Sequence, residues 1–204
     1  MELQFYGGNA IVINIKNRRF IFDNWTASKS NDKMSIKPDD VEIFTEINQK
    51  GKSKLYFNSP GEYEVSDISI VGIQSKAFKE SEVDVTMFKI ISNDFTILIT
   101  GNINPNIPDN VLEKIGIVDV LIVPAGGMTL VPNPNDVLKI IKSIEPKIIV
   151  PTYYKTKENS GPDLYEIEDI ISELGMEVIE RNTKIKLKNN ELSDKTQLII
   201  LDQS

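Results

Sequence analysis

Short hydrophobic runs separated by turn residues fill the first half of the chain. These runs are rich in β-branched and aromatic side chains, which is typical of strands. They cover residues 2–6, 10–15, 19–22, 41–44, 55–57, 63–65, 68–73, 83–91 and 95–100. Gly7-Gly8-Asn9 and Asn93-Asp94 have turn chemistry between neighbouring runs. We therefore predict a run of antiparallel strands, with polar loops at residues 26–38 and 46–54.

After Gly101 the pattern alternates between buried strands and amphipathic helices. Helices are predicted at residues 108–115, 135–144 and 164–174, the first ending at Gly116 and the last at Gly175. Asn135 is the predicted N-cap of the second helix. Strands are predicted at residues 118–123, 147–150, 176–179, 183–187 and 197–201. Buried strands beside amphipathic helices indicate a single α/β domain spanning residues 1–204, with helices packed over sheet.

Composition narrows the classes of partner. The net charge is -7, and an acidic surface repels phosphate backbones, so no nucleic-acid partner is expected. Lys16, Arg18 and Arg19 form the compact basic group, at a predicted hairpin turn, and we interpret them as solvated surface. The first residues lack the pattern of a signal peptide. The longest apolar runs fall well short of the roughly 18 residues that suggest a membrane span, which predicts a cytoplasmic protein without a membrane partner.

The missing residue types exclude several chemistries. The 204 residues contain no histidine and no cysteine. There is therefore no imidazole or thiolate for an ordinary zinc site, and no disulfide can form. A serine nucleophile would need a lysine as its base. Ser75-Lys76 and Ser28-Lys29 are adjacent, but neighbours on a strand point to opposite faces. We therefore predict no catalytic residues and no cofactor.

Six phrases occur in an order that resembles the metallo-β-lactamase superfamily, and most of all its UlaG-like branch of metal-dependent hydrolases. The phrases are FYGGNA at 5–10, FIFDN at 20–24, SPGEYEV at 59–65, ITGN at 99–102, VDVLIVPAGG at 118–127 and EPKIIVPTYY at 145–154. The resemblance implies an αββα sandwich of two mixed β-sheets flanked by helices. It also implies metal-dependent hydrolysis as the activity of the family.

The resemblance further implies where the metal ligands of the family would stand. Its members carry Gly-His-Ser, Thr-His-x-His-x-Asp-His, Gly-Asp-Thr and Pro-Thr-His phrases. At the histidine and aspartate positions of those phrases this chain has Asn9, Glu46, Asn48, Lys50, Asn102 and Tyr153. Neutral amides are poor ligands for a transition metal, and an inward lysine would repel the cation. We interpret the chain as a non-catalytic relative that serves as a binding, scaffolding or self-associating module, whose protein partner or second copy is unknown.

Two alternatives stay open for the cleft in which members of the resembled family bind their metal. Asp23, Glu46 and Glu62 could hold Mg²⁺ or Mn²⁺, which accept oxygen ligands, in a hydrolase that uses a carboxylate site in this cleft. The other form of this alternative is a hydrolase with a metal-free site in the same cleft. Four aromatic residues could stack on a ligand or simply pack. They are Trp25, Tyr63, Tyr153 and Tyr154.

The acidic face of the third predicted helix could be solvated or could meet a basic partner. It comprises Glu166, Glu168, Asp169 and Glu173.

Overall fold

A computed structural model describes residues 1–27, 34–79, 84–188, 192–193 and 195–204. Its strands are β1 (Glu2–Phe5), β2 (Ile11–Ile15), β3 (Arg18–Phe22), β4 (Val41–Ile43), β5 (Leu55–Phe57), β6 (Gly61–Glu64), β7 (Ser69–Ser75), β8 (Val85–Ile91), β9 (Thr96–Ile99), β10 (Val120–Pro124), β11 (Ile148–Thr152), β12 (Val178–Asn182), β13 (Lys184–Lys186) and β14 (Gln197–Leu201). Its helices are α1 (Asp109–Ile115), α2 (Pro134–Ile144) and α3 (Ile167–Leu174), with a 3₁₀ turn at Asn24–Thr26.

The strands form two mixed sheets. One sheet has six strands in the order β13-β1-β2-β3-β4-β5, and the other has eight in the order β12-β14-β11-β10-β9-β8-β7-β6. The predicted hairpins at Gly7-Gly8-Asn9 and Asn93-Asp94 are confirmed, because β1 pairs antiparallel with β2 and β8 with β9. Two mixed sheets with a few helices are the predicted α/β sandwich.

The pairing of β3, β4 and β5 differs from the prediction. β3 pairs parallel with β4, and β4 pairs parallel with β5, so the expected run of antiparallel strands is wrong at this point. Parallel neighbours need a crossover instead of a tight turn. As a result β3 and β4 end at the same edge of the sheet.

The start of α2 also differs from the prediction. Asn133, and not Asn135, is the N-cap, and its side chain accepts a hydrogen bond of 3.0 Å from the backbone N–H of Asp136. Pro134 occupies the first helical turn, where a missing N–H costs nothing. The third helix starts at Ile167, three residues later than predicted, and ends at Gly175 as expected.

The core lies between the two sheets. One cluster of buried side chains joins Phe5 and Phe22 of the six-stranded sheet to Phe88 of the other and to Ile140 of α2. A smaller cluster around Val12 and its neighbours covers the opposite face of the six-stranded sheet. Side chains of a strand alternate between faces, so strands buried on both sides read as continuous hydrophobic runs. Within the described residues no helix is long and apolar enough to cross a membrane.

Candidate functional site

The ends of five chain segments meet at one edge of the sandwich. Asn9 precedes β2, Asp23 follows β3, and Glu46 lies three residues beyond the end of β4. From the eight-stranded sheet, Asn102 follows β9 and Tyr153 follows β11. We call the place where these residues meet the edge cleft. Four of the six positions implied by the resemblance lie in it: Asn9, Glu46, Asn102 and Tyr153.

Side-chain amides occupy the centre of the edge cleft. The Oδ1 atom of Asn9 accepts a hydrogen bond of 3.2 Å from the hydroxyl of Thr152, and its Nδ2 group lies 3.5 Å from Oδ1 of Asn102. Its backbone N–H donates to the hydroxyl of Thr26 at 2.8 Å. Asn9 is thus held from both sheets, and its polar side-chain atoms are directed at protein groups.

Asp23 is a buried carboxyl, 1% exposed, at the back of the edge cleft. Both of its oxygens accept hydrogen bonds of 2.8 Å from Thr45, one from the backbone N–H and one from the hydroxyl. Burial outweighs these hydrogen bonds and raises the pKa of Asp23 to about 7. At neutral pH the carboxyl is therefore only partly ionised. No pattern in the sequence predicted a partner for Asp23, although Thr45 directly follows the hydrophobic run at residues 41–44.

Glu46 and Tyr153 lie close enough in the edge cleft to interact electrostatically. Burial raises the pKa of the Glu46 carboxyl. Burial, and next the charge of Glu46, raise the pKa of the Tyr153 hydroxyl, so this phenol stays protonated at neutral pH. A neutral phenol is not the imidazole nitrogen that the family phrase has at this position.

The backbone of Tyr153 is tightly fixed. Its φ is 58°, in the left-handed region that non-glycine residues rarely adopt. Its N–H donates a hydrogen bond of 2.7 Å to the carbonyl of Gly8, which ties β11 to the turn before β2. Gly126 lies against the Tyr153 carbonyl on the other side. The edge cleft thus combines a phenol that stays protonated with a constrained backbone.

Several predicted residues lie outside the edge cleft. Asn48 and Lys50 are exposed on the loop after β4. Glu62 is exposed on β6, at the edge of the eight-stranded sheet, where it pairs with Val71. Among the described residues, no three histidine, cysteine or carboxylate side chains are grouped so that they could hold a metal ion.

The other candidates have packing contacts or surface positions. Tyr154 is buried, donates its hydroxyl hydrogen bond to the Leu201 carbonyl and packs against the ring of Phe5 at 5.2 Å between centroids. Tyr63 stacks on Phe57 at 4.3 Å. Trp25 is 46% exposed.

The remaining pairs and groups give no reactive arrangement. Ser75 is buried at the end of β7 while Lys76 is exposed. Ser28-Lys29 lies outside the described residues. In the acidic group at α3, Glu168 binds Arg181 at 2.9 Å and Glu166 binds Lys155 at 2.7 Å, while Asp169 and Glu173 are exposed.

The residues of the edge cleft do not fit a zinc ion. Zinc sites in proteins use imidazole nitrogen and thiolate sulfur, with carboxylates in support. Here the donors are two amides, a protonated phenol and two carboxyls of raised pKa. Ligands must be deprotonated to bind a metal, so a raised carboxyl pKa weakens binding at neutral pH.

The match to a sequence profile shows which family the chain belongs to. The profile described as "Beta-lactamase superfamily domain" matches residues 2–153. The chain belongs to this superfamily. The matched part of this beta-lactamase superfamily protein ends at Tyr153, and β14 beyond it lies between β11 and β12 inside the eight-stranded sheet. No curated protein sequence matches the chain.

Solved structures with the same fold cover most or all of this beta-lactamase superfamily chain. A Thermotoga maritima protein described as a Zn-dependent hydrolase of the metallo-beta-lactamase superfamily has a TM-score of 0.79 and 19% identity, with 99% of each chain covered. The metallo-beta-lactamase fold protein YhfI from Bacillus subtilis has a TM-score of 0.64 and 10% identity, covering 100% of this chain and 96% of its own. Isothiocyanate hydrolase from Delia radicum gut bacteria has a TM-score of 0.61 and 12% identity, covering 84% and 90%. At these identities the likeness shows the fold alone.

Glu42 of β4 braces the loop beside the edge cleft. It is a carboxylate with 0% exposure. Its Oε2 accepts hydrogen bonds of 2.5 Å from the backbone N–H groups of Lys52 and Ser53, and its Oε1 accepts one of 2.6 Å from Nδ2 of Asn24. The carboxylate therefore joins the 3₁₀ turn after Asp23 to the loop at residues 46–54.

Replacing this carboxylate tests the brace. We expect Glu42→Gln to lower the free energy of unfolding by about 1–2 kcal/mol, because one charge-assisted acceptor becomes an amide N–H₂ group. Urea denaturation monitored by tryptophan fluorescence would measure the change. Glu64→Gln, at an exposed position on β6, is the matched control and should change stability by less than about 0.5 kcal/mol. Equal losses in both variants would contradict the brace.

Proposed function

We propose that this beta-lactamase superfamily protein is a catalytically inactive member, a pseudoenzyme that acts as a binding, scaffolding or self-associating module. The observation that carries the proposal is the hydrogen bonding of Asn9. Its amide lies between Thr152 and Asn102 at the centre of the edge cleft. A metal or a metal-bound water beside Asn9 would have to displace these contacts, and amide oxygens are poor ligands for a transition metal.

The electrostatics of the edge cleft support the same proposal. A metal site stabilises its cation through ionised ligands. Asp23 is the deepest carboxyl here, and it is partly protonated at neutral pH and fully engaged with Thr45. Because Lys50 is exposed, its charge does not repel a cation in the edge cleft. The weakness of the edge cleft as a metal site therefore lies in its ligand atoms.

One observation favours a second candidate, an oxygen-ligand site for Mg²⁺ or Mn²⁺. Asp23 and Glu46 interact electrostatically, so two carboxyls share the edge cleft. Glu62 does not add a third, since it lies exposed on β6. Mg²⁺ demands near-ideal octahedral geometry and commonly binds through one or two carboxylates plus waters and substrate phosphates.

Metal content distinguishes the two candidates. We expect untagged protein, purified without chelator, to contain zinc, manganese, iron, nickel and magnesium each well below one atom per chain, because the edge cleft offers two amides, a protonated phenol and two carboxyls whose pKa values burial raises. Elemental analysis by mass spectrometry would measure this. Calorimetric titration with Zn²⁺, Mn²⁺ and Mg²⁺ should give no saturable binding below about 100 μM.

One metal atom per chain would contradict the pseudoenzyme proposal. The variants Glu46→Gln and Asp23→Asn would then locate the ion, with Glu62→Gln as the exposed control. Loss of metal in the first two and retention in the third would establish the carboxylate site. Metal retained in all three would place it outside the edge cleft.

A further inference from the structure

The eight-stranded sheet has an open edge at β6. In the described part of the chain β6 is the outermost strand, and it pairs with β7 antiparallel and in one continuous register. The opposite edge strand, β12, shifts register after Val178, and the edge strands β5 and β13 of the other sheet have three residues each. Bulges and short strands protect sheet edges against further strands. β6 has neither, and we call its open side the β6 edge.

The backbone groups of two residues point outward from the β6 edge. Val65 exchanges two hydrogen bonds, of 3.0 and 3.1 Å, with Ile68 across the turn that follows β6. Residues of an antiparallel pair alternate between those that exchange hydrogen bonds and those that do not. Tyr63 is therefore the next residue that bonds to β7, and the N–H and C=O groups of Glu62 and Glu64 face the open side. Such a row of groups is a template for an added strand.

The outer face of β6 is acidic. Glu62 and Glu64 are exposed, and they point to the same face because they are two residues apart on a strand. Tyr63 points to the other face, where it stacks on Phe57 of β5 between the two sheets. No ion pair joins either glutamate to another residue that the structure describes. An added strand would therefore bring every second side chain beside a free carboxylate.

The neighbouring charges do not cancel these two carboxylates. At the turn after β6, the Nε group of Arg18 donates a hydrogen bond of 2.7 Å to the hydroxyl of Ser66, and Asp67 offsets its charge. Lys89 lies on β8, beyond β7, and its ammonium group donates to the Ile115 carbonyl at 2.6 Å. Three strand spacings, about 14 Å, separate β8 from an added strand. This distance exceeds the Debye length of about 8 Å at physiological salt.

The lysines of the loop before β5 lie on the other side of the sandwich. They are Lys50, Lys52 and Lys54. Gly51 of this loop lies against the ring of Tyr56, and Tyr56 points to the face of β5 opposite to Phe57. The loop therefore packs on the outer face of the six-stranded sheet, whereas Glu62 and Glu64 lie on the outer face of the eight-stranded sheet.

We propose that the β6 edge binds, as an added antiparallel strand, an extended segment of a partner protein with Lys or Arg at every second position. Antiparallel pairing places a basic side chain directly opposite each of Glu62 and Glu64. A second copy of this chain fits less well. Pairing two β6 strands through all their outward groups puts Glu62 opposite Glu64, and like charges opposite each other are destabilising. The inference rests on the binding role in the proposed function and gives that role a class of partner.

Three capped peptides of about nine residues test the mode of binding. The first alternates lysine and valine, the second has glutamate in place of lysine, and the third is the first with N-methylated backbone at its lysines. The third keeps the charge but lacks the N–H groups that would face β6. Fluorescence anisotropy at about 50 mM salt should give a Kd below about 100 μM for the first and at least tenfold weaker binding of the others.

Two results with the peptides would overturn the proposal. One is no binding of the lysine peptide up to about 1 mM. The other is equal binding of the N-methylated peptide, which would indicate unspecific attraction to an acidic chain.

Three double variants test the location. Glu62→Gln with Glu64→Gln should weaken the lysine peptide at least about fivefold. Glu173→Gln with Glu177→Gln removes the same charge at exposed positions elsewhere and should bind as the wild type does. Glu62→Lys with Glu64→Lys should bind the glutamate peptide at least about tenfold more tightly than the wild type. The replaced side chains are exposed, so each variant should melt within a few degrees of the wild type. Unchanged affinities in the folded variants at β6 would overturn the assignment.

Two further measurements separate this inference from its rivals. A wild-type chain that sediments as a dimer through β6, and changes to a monomer in Glu62→Lys with Glu64→Lys, would overturn the proposal in favour of a second copy. Metal content tests the inactive edge cleft independently. Metal-free protein that binds no peptide would overturn this inference alone, and one metal atom per chain with peptide binding intact would overturn the pseudoenzyme proposal alone.

Discussion

Gly126→Ala should lower the free energy of unfolding by about 3 kcal/mol or more, because the added methyl group meets rigid backbone. A Cβ atom at Gly126 would lie 1.8 Å from the carbonyl oxygen of Tyr153 and 2.8 Å from Cδ2 of Leu164. The strand end cannot move away easily. The Gly126 carbonyl accepts a hydrogen bond of 3.0 Å from the N–H of Tyr165, and the Tyr153 N–H is bound to Gly8. Urea denaturation would measure the loss.

Gly161→Ala is the matched control for this steric effect. Its Cβ would lie 3.5 Å from Cδ1 of Leu164, an ordinary van der Waals contact. We expect the control to change the free energy of unfolding by less than about 0.5 kcal/mol. Similar losses at both positions would show that the close approach at Tyr153 does not constrain the edge cleft. Because Gly126 has no left-handed φ, the expected loss is steric and not conformational.

Asp23 should make the protein less stable as the pH rises from about 4 to about 7. Burial raises its pKa from 3.8 to about 7, so the folded state binds the proton more tightly than the unfolded state does. The stabilisation from that proton is fully present below the unfolded pKa and is lost as the pH rises through the folded pKa. A rise of this size corresponds to about 4 kcal/mol.

The variant Asp23→Asn isolates this effect, since asparagine does not titrate. We expect the difference in unfolding free energy between wild type and variant to move by about 4 kcal/mol in favour of the variant between pH 4 and pH 8. Urea denaturation at five pH values would measure it. Asp39→Asn removes an exposed carboxyl, and its difference from wild type should stay within about 0.5 kcal/mol. A constant difference for Asp23→Asn would contradict the assigned pKa.

The sequence by itself determined the order of elements and the chemistry that is missing. Alternating and β-branched runs located the strands, and glycines at Gly116 and Gly175 ended two of the helices. These signals are local, because strand and helix periods and turn residues act over a few neighbours. The resemblance carried by six phrases agreed with the profile over residues 2–153. The absence of histidine and cysteine needs no structure at all.

Some errors had a signal in the sequence that was misread. Asn133 and Asn135 are both good N-cap residues, and Pro134 between them favours the earlier start of α2. The parallel pairing of β3, β4 and β5 had no comparable signal. A crossover normally contains a helical pattern, and the sequences of the segments that join these strands are polar and carry no such pattern.

Only the tertiary structure decided which residues share a site. Asn9 and Thr152 are 143 positions apart and are joined by one hydrogen bond across the two sheets. Asp23 has its raised pKa because β3 and β4 end side by side and bury it against Thr45. β6 presents two glutamates beside an open edge because it is the outermost strand of its sheet. Desolvation and charge pairing depend on which strand ends are neighbours in space, and local sequence patterns do not specify that.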